Sequence, residues 1–252
     1  MKNIVLITGA TSGIGEATAL LLGNNNYNLI ITGRRKDRLD QLKVKIEKEA
    51  ITNVYSLNFD IRNQGETDRA IDSLPAEWQN IDILINNAGL AAGLNTIQEG
   101  VTDDWERMID TNIKGLLYIT RKVAPGMVKR KAGHIVNISS IAGRETYPSG
   151  NVYCATKHAV ESLTKGMRLD MLQYGIKVSS VSPGAVKTEF SIVRFRGDDE
   201  KAENVYKGFT PLYAEDIAEA ILFIISRPKH VNIDDLLIMP TDQAFSRDFN
   251  RT

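Results

Sequence analysis

The stretch VLITGATSGIGEATALLLG, residues 5–23, decides the fold. Residues 5–7 are wholly apolar, the pattern of a short strand buried on both faces of a parallel sheet. Residues 8–15, TGATSGIG, read as a glycine-rich turn, and 16–23 as a helical run. Strand, glycine-rich turn and helix together make an anion cradle. Glycines let the backbone approach a charged group closely, and the helix start offers unpaired N–H groups and a positive dipole end. The spacing Gly9-x3-Gly13-x-Gly15 differs from the commoner GxGxxG dinucleotide fingerprint. Residues 28–32 supply a second strand and complete a βαβ unit. A carboxylate just past that strand would hold a ribose 2′-hydroxyl. Here the chain reads Gly33-Arg34-Arg35-Lys36. Guanidinium groups bind a 2′-phosphate bidentately, so this unit predicts NADP(H) rather than NAD(H).

The rest of the chain repeats the alternation. A helix at 36–50 turns Leu39, Leu42 and Ile46 inward, and a strand at 54–59 runs into Asp60-Ile61, placed to meet the adenine edge. A helix at 62–74 is stopped by Pro75. A strand at 81–85 leads to Asn86-Asn87-Ala88-Gly89, a small, polar exit that leaves room for a ligand at the strand's carboxyl end. After a loop at 91–100, Asp103 is placed to cap a long helix with Asn112 in its middle. A strand at 134–138 precedes Ser139-Ser140 and a loop at 141–150. Asn151 is placed to cap a helix that ends at Tyr174-Gly175. A strand at 177–181 leads into Ser182-Pro183-Gly184. The weakly patterned 191–210 segment is the expected mobile part; a helix at 214–226 and a strand at 236–239 close the pattern. The expectation is one α/β domain over residues 1–252: a Rossmann-type, doubly wound, seven-stranded, mostly parallel sheet with helices on both faces.

Composition narrows the partners. The 252 residues carry zero formal net charge, which argues for neither a nucleic-acid nor a membrane partner. The apolar run at the start is too short for a signal peptide or a span, and the lone Cys154 cannot form an internal disulfide; both suit a cytoplasmic protein. The three histidines lack metal-ligand spacing, so no metal is expected.

Chemistry concentrates in NVYCATKHAVESLTK, residues 151–165, where Tyr153 and Lys157 stand one helical turn apart on one face. An adjacent ammonium favours a phenolate, and a phenol so tuned can exchange a proton with an alcohol or carbonyl oxygen.

In order, TGATSGIG at 8–15, NNAG at 86–89, Asn112, Ser140, YCATK at 153–157 and PG at 183–184 resemble the short-chain dehydrogenase/reductase family over nearly the whole chain. The resemblance implies a catalytic set of Asn112, Ser140, Tyr153 and Lys157. Ser140 is chosen over Ser139 because it lies thirteen residues before Tyr153, the family's usual separation. It also implies cofactor contacts from Gly9, Thr11, Ser12, Gly13, Ile14, Gly15, Arg34, Arg35, Asp60, Ile61, Asn87, Ala88 and Gly89. Tyr153, Lys157, Pro183, Gly184, Val186 and Thr188 complete that set.

More narrowly, GRRKDRL at 33–39, LPAEWQNIDILINNAGLA at 74–91, PGMVKR at 125–130, GNVY at 150–153 and TEFSIVRFRGDDEKAE at 188–203 resemble the NADP-dependent 3-hydroxy-acid branch. That branch oxidises serine, L-allo-threonine and related acids. The implied activity is hydride transfer between NADP(H) and a small 3-hydroxy acid such as 3-hydroxypropionate. Alternatives are a short-chain reductase for a 3-oxoacyl thioester, sugar, steroid or dicarbonyl, or a non-catalytic NADP-binding sensor. A substrate carboxylate needs a cation, and Arg194, Arg196, Arg144 and Lys187 are the candidates, with Ser140 on the substrate oxygen. The family resemblance further implies a homotetramer built by pairing the 103–131 and 151–175 helices.

Overall fold

The computed structural model describes residues 2–50 and 52–252. Seven strands form one sheet: β1 (Ile4–Ile7), β2 (Asn28–Gly33), β3 (Val54–Asn58), β4 (Ile83–Asn86), β5 (His134–Ile138), β6 (Lys177–Pro183) and β7 (Asp235–Ile238). Their order is β3-β2-β1-β4-β5-β6-β7, and every adjacent pair is parallel. The chain winds outward one way from β1 and then the other way from β4. Between those strands lies the switch point where open sheets of this kind bind ligands.

The helices are α1 (Gly13–Asn24), α2 (Lys36–Glu49), α3 (Gln64–Asp72), α4 (Thr102–Ile109), α5 (Leu116–Arg130), α6 (Asn151–Met171), α7 (Glu189–Arg194), α8 (Asp199–Asn204) and α9 (Ala214–Ile225). Alternate strand residues point to opposite faces. Val5, Ile7, Leu29 and Ile31 therefore pack with Leu39, Leu42 and Ile46 of α2 and Ile217 and Ile221 of α9. Leu6, Ile30 and Leu84 pack the other way, with Ile119 and Val123 of α5 and Val160 and Met167 of α6. Burial on both faces is why these strands carry continuous apolar runs. Among the described residues no helix is long and apolar enough to cross a membrane, and no group of three or more His, Cys, Asp or Glu could hold a metal ion.

Three local expectations are corrected, and the 191–210 segment carries helices that its weak pattern did not announce. The helix expected over 103–131 is broken in register: α4 and α5 are joined by a π-helical stretch, Asp110–Gly115, and Val101 rather than Asp103 stands at the cap position. Such π insertions are common at functional sites, and this one contains Asn112. Gly150 occupies the cap position of α6; Asn151 is its first helical residue and donates to the Asn95 carbonyl at 2.9 Å. The 191–210 segment is built from α7 and α8, pinned by Tyr206, whose hydroxyl meets Ser191 Oγ at 2.7 Å and donates to the Val186 carbonyl at 2.8 Å. An antiparallel hairpin, β8 (Gln243–Phe245) with β9 (Asp248–Phe249), follows the sheet. Strands this short carry no readable alternation. The hairpin is held by a tertiary contact instead: Ser246 N and Oγ donate to Glu145 at 2.8 and 2.9 Å.

His134, at the start of β5, meets Ser179 Oγ through Nε2 at 2.8 Å, and its Nδ1 has no hydrogen-bond partner. Burial, aided by the Lys177 charge, pushes its pKa down from 6.5 to about 3. Below pH 6.5 the unfolded chain takes up a proton that the folded chain refuses, so acid must destabilise the fold. Between pH 7 and pH 5 this group should cost about 2 kcal/mol, and His134→Gln should remove that slope in urea unfolding measured at the two pH values.

Candidate active site

The carboxyl ends of β1 and β4 open into a cavity of about 540 Å³. Its floor is the glycine-rich turn. Gly9 has φ +67°, a region L side chains rarely adopt, and a Cβ there would lie 2.9 Å from Ala88 Cα. Asn87 stitches the turn to the β4 exit: its Nδ2 donates to the Thr8 and Gly9 carbonyls at 2.9 and 3.1 Å. Thr8 Oγ1 accepts from the backbone N–H groups of Asn87 and Ala88, both at 3.0 Å. Ser12 stands at the cap position of α1, yet its side chain makes no capping bond. The first N–H groups of α1 are therefore free to meet an anion.

Nearly every cofactor residue expected from the sequence lines this cavity. Gly9, Thr11, Ser12, Gly13, Ile14, Arg34, Arg35, Asp60, Ile61, Asn87, Ala88 and Gly89 line one part. Tyr153, Lys157, Pro183, Gly184, Val186 and Thr188 line the other. Gly15 is not at the cavity wall. It lies behind the turn, where a Cβ would sit 2.4 Å from Asn87 Nδ2 and from the Gly9 carbonyl, so its contribution is close packing.

At one end, Arg35 Nε and Nη2 donate to Thr11 Oγ1 at 3.1 and 2.8 Å, and Nη2 to Ser12 Oγ at 2.7 Å. Arg34 lies 3.9 Å from Asp60. Burial pushes the Asp60 carboxyl up, but the hydrogen bonds and charge of Arg62, with Arg34, outweigh it and hold the group below its usual range. This cluster of guanidinium groups beside a glycine-rich turn fits a dinucleotide carrying a 2′-phosphate.

At the other end stand Ser140, Tyr153 and Lys157. Ser140 follows β5, and its Oγ accepts from Ala142 N at 3.1 Å. Lys157 is buried, donates to the Ile138 carbonyl at 2.9 Å, and places Nζ 6.0 Å from the Tyr153 ring centre. Burial pushes the Lys157 ammonium down from 10.5 to about 8, while the charge of Glu161, one turn on, holds it up. The phenol departs from expectation. Burial, with Tyr147 beside it, pushes Tyr153 above its usual range, and the influences opposing this are the Ser140 hydroxyl and the Arg194 charge. Desolvation of both groups outweighs the i,i+4 pairing foreseen from the sequence.

Asn112 lies behind the cavity. Its Oδ1 accepts from Leu90 N at 2.9 Å, and its Nδ2 donates to the Leu90 carbonyl at 2.9 Å and to Thr156 Oγ1 at 3.0 Å. A Cβ on Gly89 would meet Asn112 Oδ1 at 3.3 Å and Lys157 Nζ at 3.5 Å, so both groups flank that glycine.

The four candidate cations separate cleanly. Arg194 Nη2 donates to Tyr147 Oη at 2.8 Å, and its guanidinium lies 5.3 Å from the Tyr153 ring centre. Arg196 instead pairs with the buried Asp104 at 2.7 Å. Arg144 pairs with Asp235 on β7, and Lys187 with Glu203 on α8 at 2.8 Å. None of the four lines the cavity itself; Arg194 lines an adjoining pocket that shares Tyr153 with it.

Sequence reasoning passed over Tyr147, Phe190, Arg38, Glu189 and Arg247. Phe190 packs on Tyr153 with ring centres 5.7 Å apart, and Arg247 lies 4.8 Å from the Tyr147 ring centre. No local signal marks these residues, because their place depends on loops and on α7 folding back over the sheet.

Known proteins match this arrangement. The family described as short chain dehydrogenase matches residues 3–198. The NADP-dependent 3-hydroxy acid dehydrogenase YdfG of Salmonella typhi is 47% identical over 244 residues, covering 96% of this chain and 97% of the relative. Serine 3-dehydrogenase of Agrobacterium fabrum is 42% identical over 246 residues, covering 98% and 97%. Among solved structures, the closed form of a serine dehydrogenase complexed with NADP+ aligns with TM-score 0.92 at 45% identity, covering 99% of this chain and 100% of that one. The serine dehydrogenase of Escherichia coli aligns with TM-score 0.84 at 41% identity, covering 96% and 100%. With its glycine-rich turn, its parallel sheet and the Ser140, Tyr153 and Lys157 end of one cavity, this chain belongs to the short-chain dehydrogenases.

Proposed function

We propose that residues 1–252 act as a single-domain NADP-dependent oxidoreductase that interconverts a small 3-hydroxy acid, of the serine, L-allo-threonine or 3-hydroxypropionate type, and its 3-oxo acid. The observation that carries this reading is one cavity with Arg34 and Arg35 at one end and Ser140, Tyr153 and Lys157 at the other; Arg194 lies against the Tyr153 ring from an adjoining pocket that Tyr153 also lines. The 3-hydroxy acid and serine dehydrogenases found among its relatives support the substrate class.

NADP, when bound, supplies the acceptor or donor of a hydride. In oxidation Tyr153 accepts the proton of the alcohol O–H; in reduction it returns that proton to the carbonyl oxygen. Accepting that proton requires the phenolate, whereas burial pushes Tyr153 toward the protonated form, the form that serves as acid in the reductive direction. Ser140 hydrogen-bonds the substrate oxygen and sets its distance from the phenol. Lys157 supplies a fixed positive charge and donors for the nicotinamide ribose, and Asn112 anchors the proton path behind it. Arg194 takes the substrate carboxylate, because its planar fork suits that group and it adjoins the phenol.

Solvent-facing Leu117, Leu169 and Leu172 support a homotetramer packed through α5 and α6. The lone buried Cys154 suits a reducing cytoplasm.

The test is turnover of L-serine, L-allo-threonine and 3-hydroxypropionate with NADP+ against NAD+, beside uncharged secondary alcohols of similar size. NADP+ with the acids should win. Arg194→Met should raise KM for the acids by roughly ten- to a hundredfold, the loss of one charge-assisted contact, and leave the uncharged alcohols within about twofold. Equal effects on both classes would remove Arg194 from the carboxylate site.

A further inference from the structure

Glu189 opens α7, the helix that also carries Phe190 and Arg194 against the Tyr153 ring. Its carboxylate points the other way. Oε2 accepts from Arg35 Nη1 at 3.0 Å, and Arg38 Nη1 reaches both carboxylate oxygens, at 2.7 and 2.9 Å. The two arginines lie about 150 residues earlier in the chain, so this is a purely tertiary contact. Arg35 is already committed on its Nε and Nη2 side to Thr11 and Ser12. Its remaining edge, Nη1, meets Glu189, and Arg35 and Glu189 both line the cavity. A 2′-phosphate arriving at Arg35 therefore meets a carboxylate on the same guanidinium.

We propose that Glu189 is a cofactor-specificity residue borne on α7: its carboxylate tempers the hold of Arg35 on a 2′-phosphate, and the same contact, shared with Arg38, ties α7 to the cofactor end of the cavity. This rests on the reading that Arg35 receives the 2′-phosphate. Two consequences of opposite sign follow from one carboxylate. A negative charge within hydrogen-bond reach of the phosphate's partner repels the phosphate, so removing it should tighten NADPH binding; these side chains are roughly two-fifths exposed, and solvent and salt limit the gain. Removing it also frees the start of a helix only six residues long, whose far end holds Arg194, so substrate should bind less well.

Calorimetric titration of NADPH and NADH into wild type, Glu189→Gln and Arg35→Ala tests this, with steady-state kinetics on a 3-hydroxy acid alongside. In Glu189→Gln, NADPH should bind about three- to tenfold more tightly at low salt, NADH should stay within about twofold, and KM for the acid should rise by about fivefold or more. The NADPH gain should shrink as ionic strength is raised, a dependence that a packing role would not produce. The pair is exposed enough that the variant should fold with little change in melting temperature. If NADPH and NADH shift together, or NADPH binds more weakly, the role of Glu189 is overturned. If Arg35→Ala binds NADPH as tightly as wild type, the placement of the 2′-phosphate itself fails, an outcome distinct from the first.

Discussion

Tyr153→Phe should lower turnover by about 10²- to 10⁴-fold, the worth of a positioned acid–base group, with NADPH affinity within about twofold of wild type. The substitution removes one oxygen and leaves the ring. That ring is 93% buried, packed against Phe190 and covered by the Arg194 guanidinium, so its contacts persist. What disappears is the proton carrier assigned to the substrate oxygen: Ser140 keeps its hydroxyl, whose Oγ accepts from Ala142 N, and Lys157 keeps its bond to the Ile138 carbonyl. Turnover with a 3-hydroxy acid, set beside a direct NADPH titration, separates chemistry from binding. Retention of more than about a tenth of wild-type turnover would sink the acid–base role of Tyr153.

Lys157→Met should abolish most activity and yet stabilise the fold. Holding an ammonium in a site where burial has pushed its pKa from 10.5 to about 8 costs about 3 kcal/mol near pH 7. Between pH 8 and 10.5 the unfolded chain binds more protons than the folded one, so this cost fades as pH rises through that window. Methionine fills similar volume without a charge, although the Ile138 carbonyl then loses its donor and about 1–2 kcal/mol is given back. A net gain of about 1–2 kcal/mol corresponds to a melting temperature raised by roughly 2–8 °C for a chain of this size. The gain should be largest at or below pH 8 and vanish by about pH 10. A variant that melts lower than wild type at pH 7 would show that Lys157 is a structural donor rather than a charge held against the grain of the fold. The expected pairing of lost activity with gained stability is the usual mark of a strained functional group.

Much of this was legible in the residues. The strands announce themselves because burial on two faces demands uninterrupted apolar runs, as in residues 4–7 and 29–31. The glycine-rich turn is readable because positive φ at Gly9 and Gly13 admits few other residues. The Tyr153 and Lys157 pair follows from helix periodicity, and the cofactor preference from arginines one residue past a strand. The π-helical turn at Asn112 left no local trace, since propensity describes a run of helix and not a slip in its register.

Sequence by itself determined the order of strands and helices, the anion cradle and the residue types gathered at the carboxyl end of the sheet, because each depends on neighbours within one or two turns of chain. Tertiary structure alone decided which of four candidate cations faces the phenol. Arg144, Arg196 and Lys187 are each claimed by a carboxylate from a distant element, while Arg194 is carried by α7 onto Tyr147 and Tyr153. It alone also decided the direction in which the phenol is tuned. Desolvation depends on everything packed around a group, and no spacing of residues along the chain records that.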